Sequence, residues 1–286
     1  MRHESRYALV LLATGIVILV AGLTWPANAG LVAPGHESLH GLPPLNQAVQ
    51  PSFVPHVAGT SGWVEWGAPN SAYTALGGME SIWPVPGLPS SNGKPVQEVY
   101  LWDGISASPL VYPLLQPLLQ YGTSLCGGGS NQYWFVSMLV TSSGSTICGR
   151  MLGVSPGDTL IGYVSGSSCS SSTGKCDWTI QSTDVSTGRS SLLYCQGSGG
   201  TQTNYLCNLA LYAPQVVLEV YYLNSCSEYP ASGSTTFRTT TIWNTNGNTL
   251  YTPWSGYVTW GFTPACSYNV QVSQPYSGLW SVQLNY

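Results

Sequence analysis

The chemistry of this sequence starts from a carboxylate set in an apolar run. Glu219 interrupts Val216–Leu223 (VVLEVYYL), the most apolar strand-length stretch after residue 60. With a side-chain period of two, Glu219 shares a face with Val217 and Tyr221, so it points at a core or at a ligand-facing floor. Burying an unpaired carboxylate costs several kcal/mol, which leaves a structural partner or a function as the explanation. No Lys or Arg lies nearby in sequence, and Arg150 and Arg238 are the distant candidates for a partner. A second polar intrusion is Tyr112–Gly122 (YPLLQPLLQYG), where Gln116 and Gln120 stand among apolar residues. They are either backbone caps or a neutral donor placed for chemistry. The remaining acids have plainer places. Asp158 follows Pro-Gly in a turn, Asp177 and Asp184 fall in loops rich in Ser, Thr and Gly, Glu228 follows Cys226 in a loop, and Glu65 and Glu80 lie near strand starts.

The histidines narrow the chemistry further. All four (His3, His36, His40, His56) precede residue 60. A Ser-His-Asp triad, a Cys-His pair or a histidine-ligated zinc is therefore excluded from the main domain. What remains is carboxylates, amides, hydroxyls and phenols, and no metal or cofactor is expected. With 7 basic and 11 acidic residues, the chain lacks the clustered cations that nucleic acid requires. At 43% apolar content it has the means to collapse, so disorder is not the reason for the low charge.

The elements that must position these groups are strands. From Trp63 onward, short runs rich in Val, Tyr, Trp and Thr stop at Gly, Ser or Pro. They include Val96–Trp102, Tyr133–Val140, Thr159–Val164, Trp178–Ser182, Val216–Leu223, Thr235–Trp243, Tyr257–Phe262 and Leu279–Leu284. Turn chemistry lies between them at Pro156-Gly157-Asp158 and Asn246-Gly247-Asn248. Two prolines break Val111–Leu119, which reads as a loop. Many strands without intervening helices predict an all-β, antiparallel β-sandwich over residues 61–286. Eight cysteines, all in the later part of the chain and without a CxxC, predict four bridges. Sequential pairing (126–148, 169–176, 195–207, 226–266) lets each bridge close a Gly/Ser-rich hairpin.

Residues 1–29 read as a secretory signal: Arg2 and Arg6, the apolar run Ala8–Leu23, then Ala27-Asn28-Ala29 as a cleavage site. The competing reading is a retained anchor, since Tyr7–Trp25 barely reaches across a bilayer. Residues 30–60 are Pro-rich and read as a linker or pro-segment. The expected product is a secreted monomer with no stable membrane association once the signal is gone. No Asn-x-Ser/Thr site occurs, so a glycan coat does not account for the uncharged surface. An acidic medium does. With its acids protonated, the domain carries only Lys94, Lys175, Arg150, Arg189 and Arg238, and self-repulsion stays small.

Several stretches together resemble the glutamic peptidases, or eqolisins. Ser81-Ile82-Trp83-Pro84-Val85-Pro86 is similar to that family's Trp-x-Val-Pro strand, and Leu101-Trp102-Asp103-Gly104-Ile105 to its Trp-Val-Gly-Ile-Asp-Gly stretch. Leu115-Gln116 resembles its Leu-Gln, Gln132-Tyr133-Trp134 its substrate-cleft strand, and Glu219 takes the place of its catalytic glutamate. The resemblance implies a lectin-like jelly roll and an acid endopeptidase acting on polypeptides. It further implies Gln116 and Glu219 as the catalytic dyad, with Gln120 a competitor for Gln116, and Trp102, Tyr133 and Trp134 as substrate-binding residues. Two other classes remain open at this point: a non-catalytic carbohydrate- or protein-binding module built on Trp and Tyr platforms, and a glycosidase using paired acids such as Glu98 and Glu219.

Overall fold

Runs rich in Val, Ile, Thr and aromatic residues form strands, and in several of them, Thr159–Ser167, Asp177–Asp184 and Leu279–Asn285 among them, buried and more exposed side chains alternate with a period of two. The computed structural model describes residues 36–38, 61–70, 75–91, 97–108, 111–196 and 204–286. The expected signal segment and most of the Pro-rich stretch lie outside them. In chain order the strands are β1 (His36–Ser38), β2 (Ser61–Pro69), β3 (Leu76–Pro84), β4 (Glu98–Ser108), β5 (Val111–Ser124), β6 (Gly127–Val140), β7 (Ser145–Cys148), β8 (Leu152–Val154), β9 (Thr159–Ser167), β10 (Asp177–Asp184), β11 (Arg189–Tyr194), β12 (Ala213–Tyr221), β13 (Ser234–Asn244), β14 (Trp254–Val258), β15 (Asn269–Tyr276) and β16 (Leu279–Asn285). Helix is confined, among the described residues, to single 3-10 turns at Asn204–Leu206 and Cys226–Glu228.

These strands form the antiparallel β-sandwich that the sequence predicts. One sheet runs β1-β7-β6-β5-β4-β12-β2-β14, with β8 also on β6, and the other runs β11-β10-β9-β3-β13-β16-β15. Aromatic residues join the two across the core. Trp83 of β3 meets Phe135 of β6 edge-on at 5.5 Å and Phe237 of β13 at 4.6 Å, and all three are fully buried. All four bridges follow the sequential pairing, 126–148, 169–176, 195–207 and 226–266.

Three local expectations are corrected. Val111–Leu119 is not a loop but the first part of the long strand β5. Its prolines are tolerated because both fall in gaps of the β4–β5 register, Pro113 between the Ser106–Leu114 and Ser108–Val111 pairs and Pro117 between the Trp102–Leu118 and Ile105–Leu115 pairs. Asp177 and Asp184 are the two ends of β10 rather than loop residues. The strand expected at Tyr257–Phe262 is β14, which ends at Val258, and a turn with Gly261 at φ +75° follows.

The larger sheet buries apolar side chains on both faces. Leu101, Leu115, Phe135 and Leu218 point into the sandwich, whereas Trp63, Trp102, Leu118, Val136 and Val217 form a separate cluster on the outer face. A soluble sheet normally leaves its second face polar. This second apolar cluster, with polar groups set into it, is where most of the candidate site residues gather.

Candidate active site on the outer face of the larger sheet

Register determines which side chains meet. Glu219 of β12 pairs with Tyr100 of β4, Tyr100 with Gln120 of β5, and Gln120 with Trp134 of β6. The next row on the same face holds Val217, Trp102, Leu118 and Val136. On its other flank β12 is bulged between Leu218 and Glu219, and Glu219 pairs there with Trp63 of β2. The bulge aims a carboxylate between two tryptophans.

Glu219 is half-buried and hydrogen-bonded on both oxygens. The indole N–H of Trp102 donates to Oε2 at 3.1 Å, and the Tyr221 hydroxyl donates to Oε1. Trp63 packs edge-on against Trp102 at 5.3 Å, and Trp66 beyond it stacks on Tyr257 at 5.4 Å. Burial pushes the Glu219 carboxyl above its ordinary range, and donors from Tyr221, Trp102 and Trp63 pull it part of the way back. Arg150 and Arg238 do not pair with it. Among the described residues the one ion pair is Arg189–Asp184. A carboxylate that accepts hydrogen bonds from neutral donors, with no cation to neutralise it, keeps a usable lone pair and a raised proton affinity. Those are the attributes of a general base in acid.

The expected partners divide. Trp102 touches Glu219 directly. Trp134 lies on the same face, in Glu219's own row. Tyr133 does not join the site: it faces the sandwich interior, packs on Tyr121 at 5.3 Å and donates its hydroxyl to the Gly87 carbonyl. Gln116 is on the right face but pairs with Met138, two rows from Glu219. That is about 13 Å along the strands, in addition to the two-strand separation. Gln120 shares Glu219's row, about 9–10 Å away across two strand spacings. Of the two amides, Gln120 is therefore the nearer to Glu219 by register, with Tyr100 of β4 between them in the row.

Both glutamines are covered. Beyond Tyr121 the β5–β6 hairpin shifts register, and its tip returns over the outer face. Gln120 Nε2 donates to the carbonyls of Gly122 (3.1 Å) and Gly127 (2.8 Å), and its Oε1 accepts from the Ser124 hydroxyl at 2.6 Å. The Cys126–Cys148 bridge ties the tip to β7. Gly122 and Gly128 hold φ of +103° and +105°, and a Cβ on Gly128 would sit 2.5 Å from Gln120 Nε2. The glycines are what let the tip lie this close to the amide.

Sequence reasoning missed Tyr221 and Tyr100 as members of the site. Their signal was present in the period-two spacings Glu219-x-Tyr221 and Glu98-x-Tyr100-x-Trp102, which place all five side chains on one face once β4 and β12 are known to be neighbours. Among the described residues, Asp177, Cys195 and Cys207 are the one group of three with metal-ligand spacing, and the two sulfurs are already joined to each other.

No protein-family model matches the chain, and no curated protein matches it. Solved structures do. Scytalido-glutamic peptidase with a peptide-based transition-state analogue superposes with a TM-score of 0.53 at 14% identity, over 79% of this chain and 100% of that one. SCP-B, a member of the eqolisin family of peptidases in complex with the tripeptide Ala-Ile-His, superposes with a TM-score of 0.52 at 14% identity and the same coverage. At this identity the likeness establishes a shared β-sandwich fold.

Proposed function

We propose that this chain is a secreted, acid-acting endopeptidase of the glutamic type, with Glu219 as general base and Gln120, in preference to Gln116, as the amide partner. The observation that carries the reading is the setting of Glu219: a half-buried carboxylate without a cation, held by an indole N–H and a phenol O–H on an apolar sheet face. The two fold neighbours support it, since one holds a peptide-based transition-state analogue and the other a tripeptide. Polypeptides are accordingly the substrate class.

In the reaction, ionised Glu219 takes a proton from a water as the water oxygen bonds to the scissile carbonyl carbon. The Gln120 N–H donates to the resulting oxyanion. Protonated Glu219 then gives its proton to the leaving nitrogen as the C–N bond breaks. In the described state that N–H is committed to the Gly122 and Gly127 carbonyls, so the hairpin tip lifts before Gln120 takes part. A carboxylate base and a neutral amide both stay competent in mild acid, where a histidine base would be cationic. Glu98 and Glu219, the pair that a glycosidase reading would use, stand on one sheet face rather than on opposite sides of a scissile bond.

The test is hydrolysis of denatured protein at about pH 3–4 by wild type, Glu219→Gln, Gln120→Ala and Gln116→Ala. Glu219→Gln should lose activity by about 10²-fold or more, and Gln120→Ala by about 10²-fold. Gln116→Ala should change it little. Full activity in Glu219→Gln would end the assignment, and no wild-type activity at any acid pH would favour a binding module.

A further inference from the structure

Glu98 is the acid that the peptidase reading leaves without a role. It opens β4 on the same outer face and pairs with Tyr221, while Tyr100 pairs with Glu219. The four side chains make a crossed square, with carboxyls on one diagonal and phenols on the other. Diagonal positions on neighbouring strands are about 7–8 Å apart at the backbone, within reach of long side chains. Tyr100 donates to Glu98 Oε2 at 2.6 Å, Tyr221 donates to Glu219 Oε1, and the two rings meet edge-on at 5.8 Å.

Among the described residues, the titratable groups that act on this square are acids and phenols. Burial, and to a lesser extent the charge of Glu219, push the Glu98 carboxyl up. Tyr112 of β5 feels Glu219, and the Ser124 hydroxyl of the hairpin tip approaches Tyr100. Neither carboxyl is in an ion pair with a cation among the described residues. Two carboxyls so placed cannot ionise independently, because the second charge must form beside the first in a partly desolvated setting. The donor sets decide the order. Glu219 has Tyr221, Trp102 and Trp63 to stabilise its anion, whereas Glu98 has Tyr100 alone.

We infer that Glu98 is a positioning residue of the Glu219 site: the pair holds one proton through the acid range, Glu98 keeping it while Glu219 serves as the ionised base. This rests on the reading of Glu219 as general base. Its consequence is an upper pH limit built into the site. When Glu98 ionises, a second negative charge appears beside the place where the oxyanion develops, and the transition state is penalised more than the ground state. The lower limit belongs to Glu219 itself. There Glu98 is already neutral, so replacing it with a neutral amide leaves that limit where it is.

The experiment is the pH–rate profile of the full chain for wild type, Glu98→Gln and Glu219→Gln on denatured protein, with carboxyl titration of ¹³C-Glu-labelled wild type and Glu98→Gln by NMR. The expected result is an unchanged acid limb in Glu98→Gln and an alkaline limb moved up by about one pH unit or more. In wild type the two carboxyls should titrate in two steps, and the upper step should vanish in Glu98→Gln. A purely structural Glu98 would scale the whole profile down without moving either limb, and that outcome overturns the inference. The inference also fails if both wild-type carboxyls titrate in one unsplit step, a readout that needs no variant to fold. If Glu219→Gln stays active, the base assignment fails instead, and the NMR titration alone then decides whether the pair shares a proton.

Discussion

At the scale of single residues, the reactivity of Glu219 is a contest between desolvation, which favours its neutral form, and three donors that favour its anion. Trp102 is the donor to Oε2. Phe in its place keeps an aromatic ring in the buried wall, smaller than the indole, and deletes the N–H that reaches Oε2. A hydrogen bond to a charged group contributes about 1.5–3 kcal/mol, so Trp102→Phe should raise the proton affinity of Glu219 by about one pH unit or more. The acid limb of the pH–rate profile would move up and the alkaline limb would stay. This shift is the complement of the one expected from Glu98→Gln, so the two variants together assign one limb to each carboxyl. A Trp102→Phe enzyme whose acid limb coincides with wild type would show that the indole serves only as a wall.

At the scale of elements, the β5–β6 hairpin tip decides whether Gln120 is available. Gly122 sits at φ +103° with no room for a side chain, since a Cβ would lie 1.9 Å from the Gln97 carbonyl oxygen. Gly122→Ala should therefore destabilise the protein by about 1–3 kcal/mol, read as a lower urea midpoint with an unchanged slope. The Cys126–Cys148 bridge spans a separation of 22 residues and contributes about 3 kcal/mol by loop closure. Replacing both cysteines with Ser should speed amide exchange through residues 122–129 while β9 and β10 keep their protection. Unaltered protection of the tip would show that the bridge does not hold it down. This region also shows what sequence could and could not reveal. Strands such as Thr159–Ser167 and Leu279–Asn285 were legible from alternation alone, and the disulfide pairing from the sequential order of the cysteines. The prolines hid β5, because whether a missing N–H matters depends on the partner strand. The choice between Gln116 and Gln120 depends on β4–β5 register, and the contact of Glu98 with the site depends on β4 lying beside β12, more than a hundred residues away in sequence. Spacing along one strand fixes a face, and only pairing between strands fixes a row.

At the scale of the whole molecule, the sparse charge has a second side. Asp103 points from β4 into the sandwich, fully buried, with the Ser81 hydroxyl nearby but no hydrogen bond of good geometry to either oxygen. It is admitted there because Gly162 of β9 has no side chain, since a Cβ would lie 2.0 Å from Asp103 Oδ1. Burial holds its carboxyl well above the usual range. Glu65 of β2 is also buried. Its Oε1 accepts the Asn269 backbone N–H and its Oε2 meets no donor, and burial pushes it up to about 8 despite backbone hydrogen bonds from Asn269 and Asn285. For both groups the folded state keeps a proton that the unfolded chain releases near pH 4. The folded form then binds more protons, so stability falls as pH rises. The contribution is complete below about pH 4, declines as the unfolded acids ionise, and for Glu65 levels off near its folded value of about 8. Self-repulsion works against this only weakly, because few cations remain when the acids are neutral. The melting temperature should therefore be highest in acid and fall steadily toward neutral pH. Asp103→Asn, which supplies a permanently neutral group of the same shape, should flatten that decline and stabilise the protein at pH 7 relative to wild type. Thermal unfolding of both proteins across this range tests the argument. A wild-type melting temperature that is level or rising from acid to neutral would mean that these carboxyls ionise freely inside the fold, and that the core does not favour acid.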